Sequence, residues 1–129
     1  MKKLIFLALI ALGAQNASAQ DVMKKQKDGS FVVNTTTLGK DVKGYKAATP
    51  VEITIKSDKV VKVEALENRE GPKYMNMVNK GIMDKWNGLK VKAAQKLNVD
   101  AVSGATYTSN AIKENVKLGL KYYSEHKKK

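Results

Sequence analysis

The chain has 129 residues, 24 Lys and Arg against 12 Asp and Glu, a formal charge of +12 and no cysteine. That length holds one domain. The missing cysteine excludes a disulfide scaffold, zinc–thiolate sites, cysteine-linked haem, a thiol nucleophile and a lipidated N-terminal cysteine. All of the basic residues but Arg69 are lysines. Lysine is a compact point charge and lacks the fork with which arginine reads bases and clamps phosphates. The excess therefore reads first as a solubility device, with no nucleic acid as partner.

Lys2 and Lys3 precede an apolar run from Leu4 to Ala14, and the small residues Ala17-Ser18-Ala19 follow. A charged start, a short apolar core and an A-x-A site form a signal peptide over 1–19. The run is shorter than the ~20 apolar residues that a membrane span needs. Cleavage after Ala19 removes 19 of the 129 residues, two of them lysines and none acidic, and leaves 110 residues with a charge of +10. The expected product is exported, periplasmic or extracellular, and soluble, with no membrane anchor in the mature chain.

Residues 20–43 form an N-terminal segment. Its first part, to Ser30, is polar and reads as loose, whereas Phe31 to Leu38 is rich in β-branched residues and reads as a strand. Gly39 to Gly44 is a turn. Val51, Ile53 and Ile55 alternate with Glu52, Thr54 and Lys56. Ser57-Asp58 is a polar turn, and Val61 to Ala65 alternates again, which predicts a hairpin with one wet face. Pro72 suits the first turn of a helix carrying Tyr74, Met77, Val78, Ile82 and Trp86 at helical spacing, with Asn87-Gly88 as its stop. Met75, Met77 and Met83 read as core filler. Leu89 to Leu97 fits either a short helix or a strand, and Val99 to Tyr107 reads as a loop. From Ser109 on, Ile112, Val116, Leu120 and Tyr123 form one helical stripe, while Lys113, Lys117 and Lys121 share another face. Strands followed by helices predict an α+β fold: an antiparallel sheet with an N-terminal hairpin region, packed by helices and closed by a terminal amphipathic helix.

His126, the single histidine, falls in the lysine-rich end and reads as solvated, so triads and common metal sites are unattractive. No metal site is expected. One stretch stands out: Asp100-Ala101-Val102-Ser103-Gly104-Ala105-Thr106-Tyr107-Thr108-Ser109. It joins an acid, small residues and the four hydroxyls of its serines and threonines directly to the terminal helix. The N-terminus of a helix offers unpaired N–H groups and the positive end of its dipole, and Gly104 and Ala105 let an anion approach the backbone. The same residues also fit a glycine turn followed by a Ser or Thr N-cap.

Asp100-Ala-Val-Ser-Gly-Ala-Thr106 resembles the flavinylation motif D-x-x-[ST]-G-A-T of FMN-binding domains. These domains occur in subunits of the sodium-pumping NADH:quinone oxidoreductase, in its Rnf relatives and in small exported flavoproteins. Gly44-Tyr45-Lys46 and the hairpin after it look like the opening of the family. Glu70-Gly71-Pro72-Lys73-Tyr74 is similar to its E-T-P-G-Y segment, with Gly71 and Lys73 in place of Thr and Gly. Thr108 to Ile112 matches the start of the last helix. The resemblance places an FMN-binding domain at 44–124, ahead of a basic tail at 125–129.

The resemblance implies FMN held covalently on Thr106 through a phosphoester, with Thr108 as second choice. Asp100, Ser103, Gly104 and Ala105 are then the motif that a flavin transferase recognises. Thr108 and Ser109 are candidates either for phosphate donors or for N-caps, and Tyr45, Tyr74 and Trp86 either for packing on the flavin ring or for core. The implied role is an exported electron carrier with redox partner proteins, a membrane oxidoreductase among the candidates, rather than an enzyme with its own turnover. The alternative is an exported non-redox module that holds a phosphate-containing ligand non-covalently.

Overall fold

The computed structural model describes residues 22–127, so the signal peptide expected at 1–19 and the last two lysines lie outside the described residues. Four strands come first: β1 (Met23–Lys25), β2 (Phe31–Asn34), β3 (Val51–Lys56) and β4 (Lys59–Ala65). Three helices follow: α1 (Pro72–Gly81), α2 (Val91–Lys96) and α3 (Thr106–His126). The strands pair antiparallel in the order β1-β2-β3-β4. The fold is α+β, as the order of the hydropathy patterns predicts.

The central hairpin forms where the alternation is strictest. Val51, Ile53 and Ile55 are fully buried, with Glu52, Thr54 and Lys56 on the outer face. Ser57 and Asp58 both have positive φ, 53° and 64°, as a two-residue turn of the mirror-image type requires. Neither is the Asn or Gly that tolerates this region best. Ser57→Asn is therefore expected to stabilise the fold by about 0.5 kcal/mol, read as a higher urea midpoint with an unchanged slope.

Three strand details depart from the pattern. The second run begins at Lys59, and its pairing slips between Thr54 and Ile55, so Thr54 faces Lys62 and Ile55 faces Val60. Val61 is the extra residue of this bulge and is exposed, while Val60 and Val63 point inward. The polar stretch before Ser30 contains β1, which adds to the open edge of β2. The strand expected over Phe31–Leu38 stops at Asn34: the Thr35 N–H still bonds the Val51 carbonyl at 3.0 Å, but its hydroxyl, not its carbonyl, accepts the Val51 N–H at 2.9 Å.

Leu89–Leu97 uses both of its open alternatives. Gly88 and Leu89 hydrogen-bond to Val60 along the free edge of β4, Lys90 bridges Lys59, and α2 starts at Val91. α1 ends at Gly81 rather than Asn87. Glycine weakens a helix, and here Val102 Cγ2 lies 2.7 Å from where a Cβ would stand. Ile82, Met83 and Trp86 still reach the core through the turns that follow. α3 starts at Thr106, three residues ahead of Ser109. Its stripe of Ile112, Val116, Leu120 and Tyr123 is buried, and Gly119 lies directly over Ile53. His126 is not in a frayed tail; it is the last residue of α3, with its ring stacked on Tyr122 at 3.9 Å. Among the described residues no helix is long and apolar enough to cross a membrane.

Candidate functional site

Three segments far apart in sequence meet at the N-terminus of α3: the Gly44–Ala47 loop, the Glu70–Tyr74 segment that opens α1, and the turn Val102–Thr108. Gly104 takes φ 87°, in the left-handed region that side chains avoid, and brings the chain round into Thr106. Ala105 stands at the N-cap position without a side-chain hydrogen bond to the helix, and the first turn carries no acid. Ser109 makes the first backbone bond of α3, to the Ala105 carbonyl at 2.9 Å. The N–H groups of Thr106, Tyr107 and Thr108 lie ahead of that bond, where a helix has no internal acceptors for them. A 21-residue helix thus presents the positive end of its dipole without a cap.

The hydroxyls in this turn have different fates. Thr106 is exposed. Thr108 is buried and donates to Glu70 Oε1 at 2.5 Å. Ser109 is fully buried, and its Oγ accepts the N–H of Val102 at 3.0 Å. Neither caps α3. They fasten the turn from behind, while Thr106 faces out. Ser103 and Asp100 are exposed; Asp100 lines a separate cleft of about 410 Å3 on the Gly81–Lys85 side of the turn.

Beside Thr106 is a cleft of about 250 Å3, lined by Tyr45, Tyr74 and Tyr107 with Gly104, Ala105 and Thr108. The three tyrosines are 68%, 42% and 67% exposed, so their rings are not spent on the core. The Tyr45 and Tyr107 rings are 6.1 Å apart and inclined at 43°. Trp86 does not join them; it is 3% exposed within the core. Tyr107 escaped the sequence reading, although its place next to Thr106 was legible.

Glu70 is the other residue missed as part of the site. It is 7% exposed, between the hairpin and α1. Its carboxylate accepts the N–H of Tyr45 at 2.7 Å and of Lys46 at 3.0 Å, besides the Thr108 hydroxyl. A Cβ on Gly44 would lie 2.3 Å from Glu70 Oε1, so only glycine allows this approach. One acid thus ties the tyrosine-bearing loop to the first turn of α3.

Burial alone raises the pKa of Glu70. The hydrogen bonds from Thr108 and from the N–H groups of Tyr45, Lys46 and Ala47 outweigh it and hold the carboxyl below its ordinary value of 4.5. A depressed folded pKa contributes stability above the unfolded value and loses it as pH falls through the folded one. Thermal melts from pH 7 downward should show the midpoint dropping below about pH 4.5. Glu70→Gln should flatten this acid limb; an unchanged limb would assign it to other carboxylates.

The family model of the FMN-binding domain matches residues 44–121, which hold all three converging segments. The chain belongs to the FMN-binding domain family. No curated protein matches it. In this FMN-binding domain the glycine turn, the uncapped helix end and the tyrosine cleft suit the two halves of the cofactor: an anionic phosphate and a flat, partly apolar ring. Among the described residues no cluster of His, Asp and Glu could hold a metal ion.

Proposed function

We propose that this FMN-binding domain carries FMN covalently on Thr106 and serves as an exported electron carrier. The observation that carries the reading is the contrast between two threonines: Thr106 is exposed at the uncapped start of α3, whereas the Thr108 hydroxyl is buried against Glu70. In maturation by a flavin transferase, Thr106 Oγ would attack the FMN phosphorus of FAD. A P–O bond forms, the bond to AMP breaks, and AMP leaves with the proton. The bound FMN supplies the redox chemistry.

The chain supplies position and charge. The N–H groups of Thr106, Tyr107 and Thr108 would hold the phosphodiester, whose one negative charge the helix dipole favours. Tyr45, Tyr74 and Tyr107, which line the cleft beside Thr106, would hold the flat ring by aromatic packing. The export reading rests on Lys2, Lys3, the apolar run and Ala17-Ser18-Ala19. A covalent link suits an exported carrier, because retention then does not depend on affinity in a dilute compartment.

The test is the intact mass of protein co-exported with a flavin transferase, beside Thr106→Val and Thr108→Val. The expected result is a gain of one FMN less one water in the parent and in Thr108→Val, and none in Thr106→Val. If none of the three gains mass while another protein is flavinylated by the same transferase, covalent attachment fails. FMN released on denaturation would then favour the non-covalent module.

A further inference from the structure

Thr106 stands at the head of a charged ridge. On α3, Thr106, Asn110, Lys113, Lys117 and Lys121 fall within about 80° of one another around the helix axis, centred about 100° round from the buried stripe. All are exposed except the half-buried Lys113. At 1.5 Å per residue the ridge runs about 22 Å from the threonine. The three ion pairs among the described residues, Lys56–Asp28, Lys62–Glu64 and Lys127–Asp58, leave its lysines unpaired. The exposed Glu114 lies beside the ridge, whereas on the outer face of the sheet acids and lysines are evenly interspersed: Asp28, Glu52 and Glu64 with Lys24, Lys56 and Lys62.

A second feature lies beside the ridge. A cleft of about 270 Å3 separates α2 from α3, lined by Lys113 and Lys117 together with the carboxylate of Glu114, and by the apolar Trp86, Ala94 and Val116. Leu97, 40% exposed, closes one side. Two unpaired lysines against the single carboxylate of Glu114, around a small slot with apolar residues in its lining, leave a net positive site that fits an acidic protein surface inserting one apolar side chain between its carboxylates.

We infer that this ridge and cleft dock an acidic electron-transfer protein, whose redox centre is thereby brought to the Thr106 end of α3. The inference rests on the proposal that Thr106 carries the flavin and adds to it the partner class and the face used. An anionic membrane is the weaker occupant, because the apolar stripe of α3 is spent on the core and Leu97 is the one exposed aliphatic side chain beside the ridge, too little apolar surface to insert. Lysines on one face of a helix steer a negatively charged partner and set its orientation on arrival.

Docking is read first on protein without flavin, so its failure and that of flavinylation are separate results. A decaglutamate peptide is titrated into 15N-labelled protein, with the fluorescence of Trp86, the one tryptophan in the chain, followed in parallel. Shifts should concentrate on Asn110, Lys113, Lys117, Lys121 and Gln95, with a change at Trp86. The triple variant K113E/K117E/K121E should weaken binding about tenfold or more, whereas K24E/K56E/K62E, with the same charge change, should alter it less than about threefold. Equal weakening by both triples would reduce the effect to net charge and overturn the inference. So would phosphatidylglycerol vesicles shifting the ridge at concentrations where the peptide does not.

On flavin-loaded, reduced protein, oxidation by an acidic plastocyanin should slow about tenfold in the ridge triple and lose its salt dependence. Oxidation by neutral benzoquinone should stay unchanged. Equal slowing with both acceptors would place the effect at the flavin instead of the docking face.

Discussion

Glu70→Ala is expected to destabilise the protein by about 3–5 kcal/mol, well beyond a typical single substitution. The carboxylate is 7% exposed and accepts from Tyr45 N–H, Lys46 N–H and the Thr108 hydroxyl. Its removal strands three donors in a place that water reaches poorly, each costing about 1–3 kcal/mol before relaxation. Glu70→Gln keeps one acceptor oxygen but turns an NH2 toward a backbone N–H, so it should cost roughly half as much. Thr108→Val removes a single donor and should cost about 1–2 kcal/mol. The order Ala, Gln, Thr108→Val in urea denaturation checks that the acid is the hub. If Thr108→Val costs as much as Glu70→Ala, the backbone donors do not matter. The site should respond as well: in Glu70→Ala the first turn of α3 and the Tyr45 loop lose their common anchor. The yield of flavinylated protein should then fall by more than the folded fraction does.

What could be read from the sequence was local. The hairpin followed from the alternation of Val51, Ile53 and Ile55, and α3 from the spacing of Ile112, Val116, Leu120 and Tyr123. The turn at Gly104 was visible because glycine, hydroxyls and an acid cluster within ten residues. What escaped depends on partners distant in sequence. β1 is polar in itself and is a strand because β2 offers it an edge. The bulge at Val61 leaves no mark on a valine-rich run, since only the register against β3 decides which valine faces in. Glu70 resembles any surface acid before a Gly-Pro pair; its role comes from donors 24, 25 and 38 residues away. Asn115 was passed over because a helical stripe is counted in apolar residues, yet it is fully buried.

Asn115 leads to the second large effect, Gly39→Ala. The Asn115 amide donates to the Thr49 carbonyl at 3.0 Å and to the Ala111 carbonyl at 2.9 Å, tying α3 to the segment that precedes β3. Its Oδ1 is buried and has no hydrogen-bond partner. It points at Gly39 instead: a Cβ there would lie 1.9 Å from Oδ1 and 2.8 Å from Cγ. The φ of Gly39 is not positive, so alanine meets no backbone penalty, and the whole cost is steric. The amide cannot swing away without giving up both bonds inside a packed core. Gly39→Ala should therefore cost about 3 kcal/mol or more, the range of severe overpacking. Asn115→Ala alone should cost about 2 kcal/mol, chiefly through the stranded Thr49 carbonyl. Combined, the new methyl occupies space that the amide has vacated. The double variant should then be more stable than the sum of the two singles by about 1–3 kcal/mol, a coupling that a double-mutant cycle measures directly. Additivity within about 0.5 kcal/mol would show that the cost of Gly39→Ala arises elsewhere, at the turn in which the Gly39 N–H binds the Thr35 carbonyl.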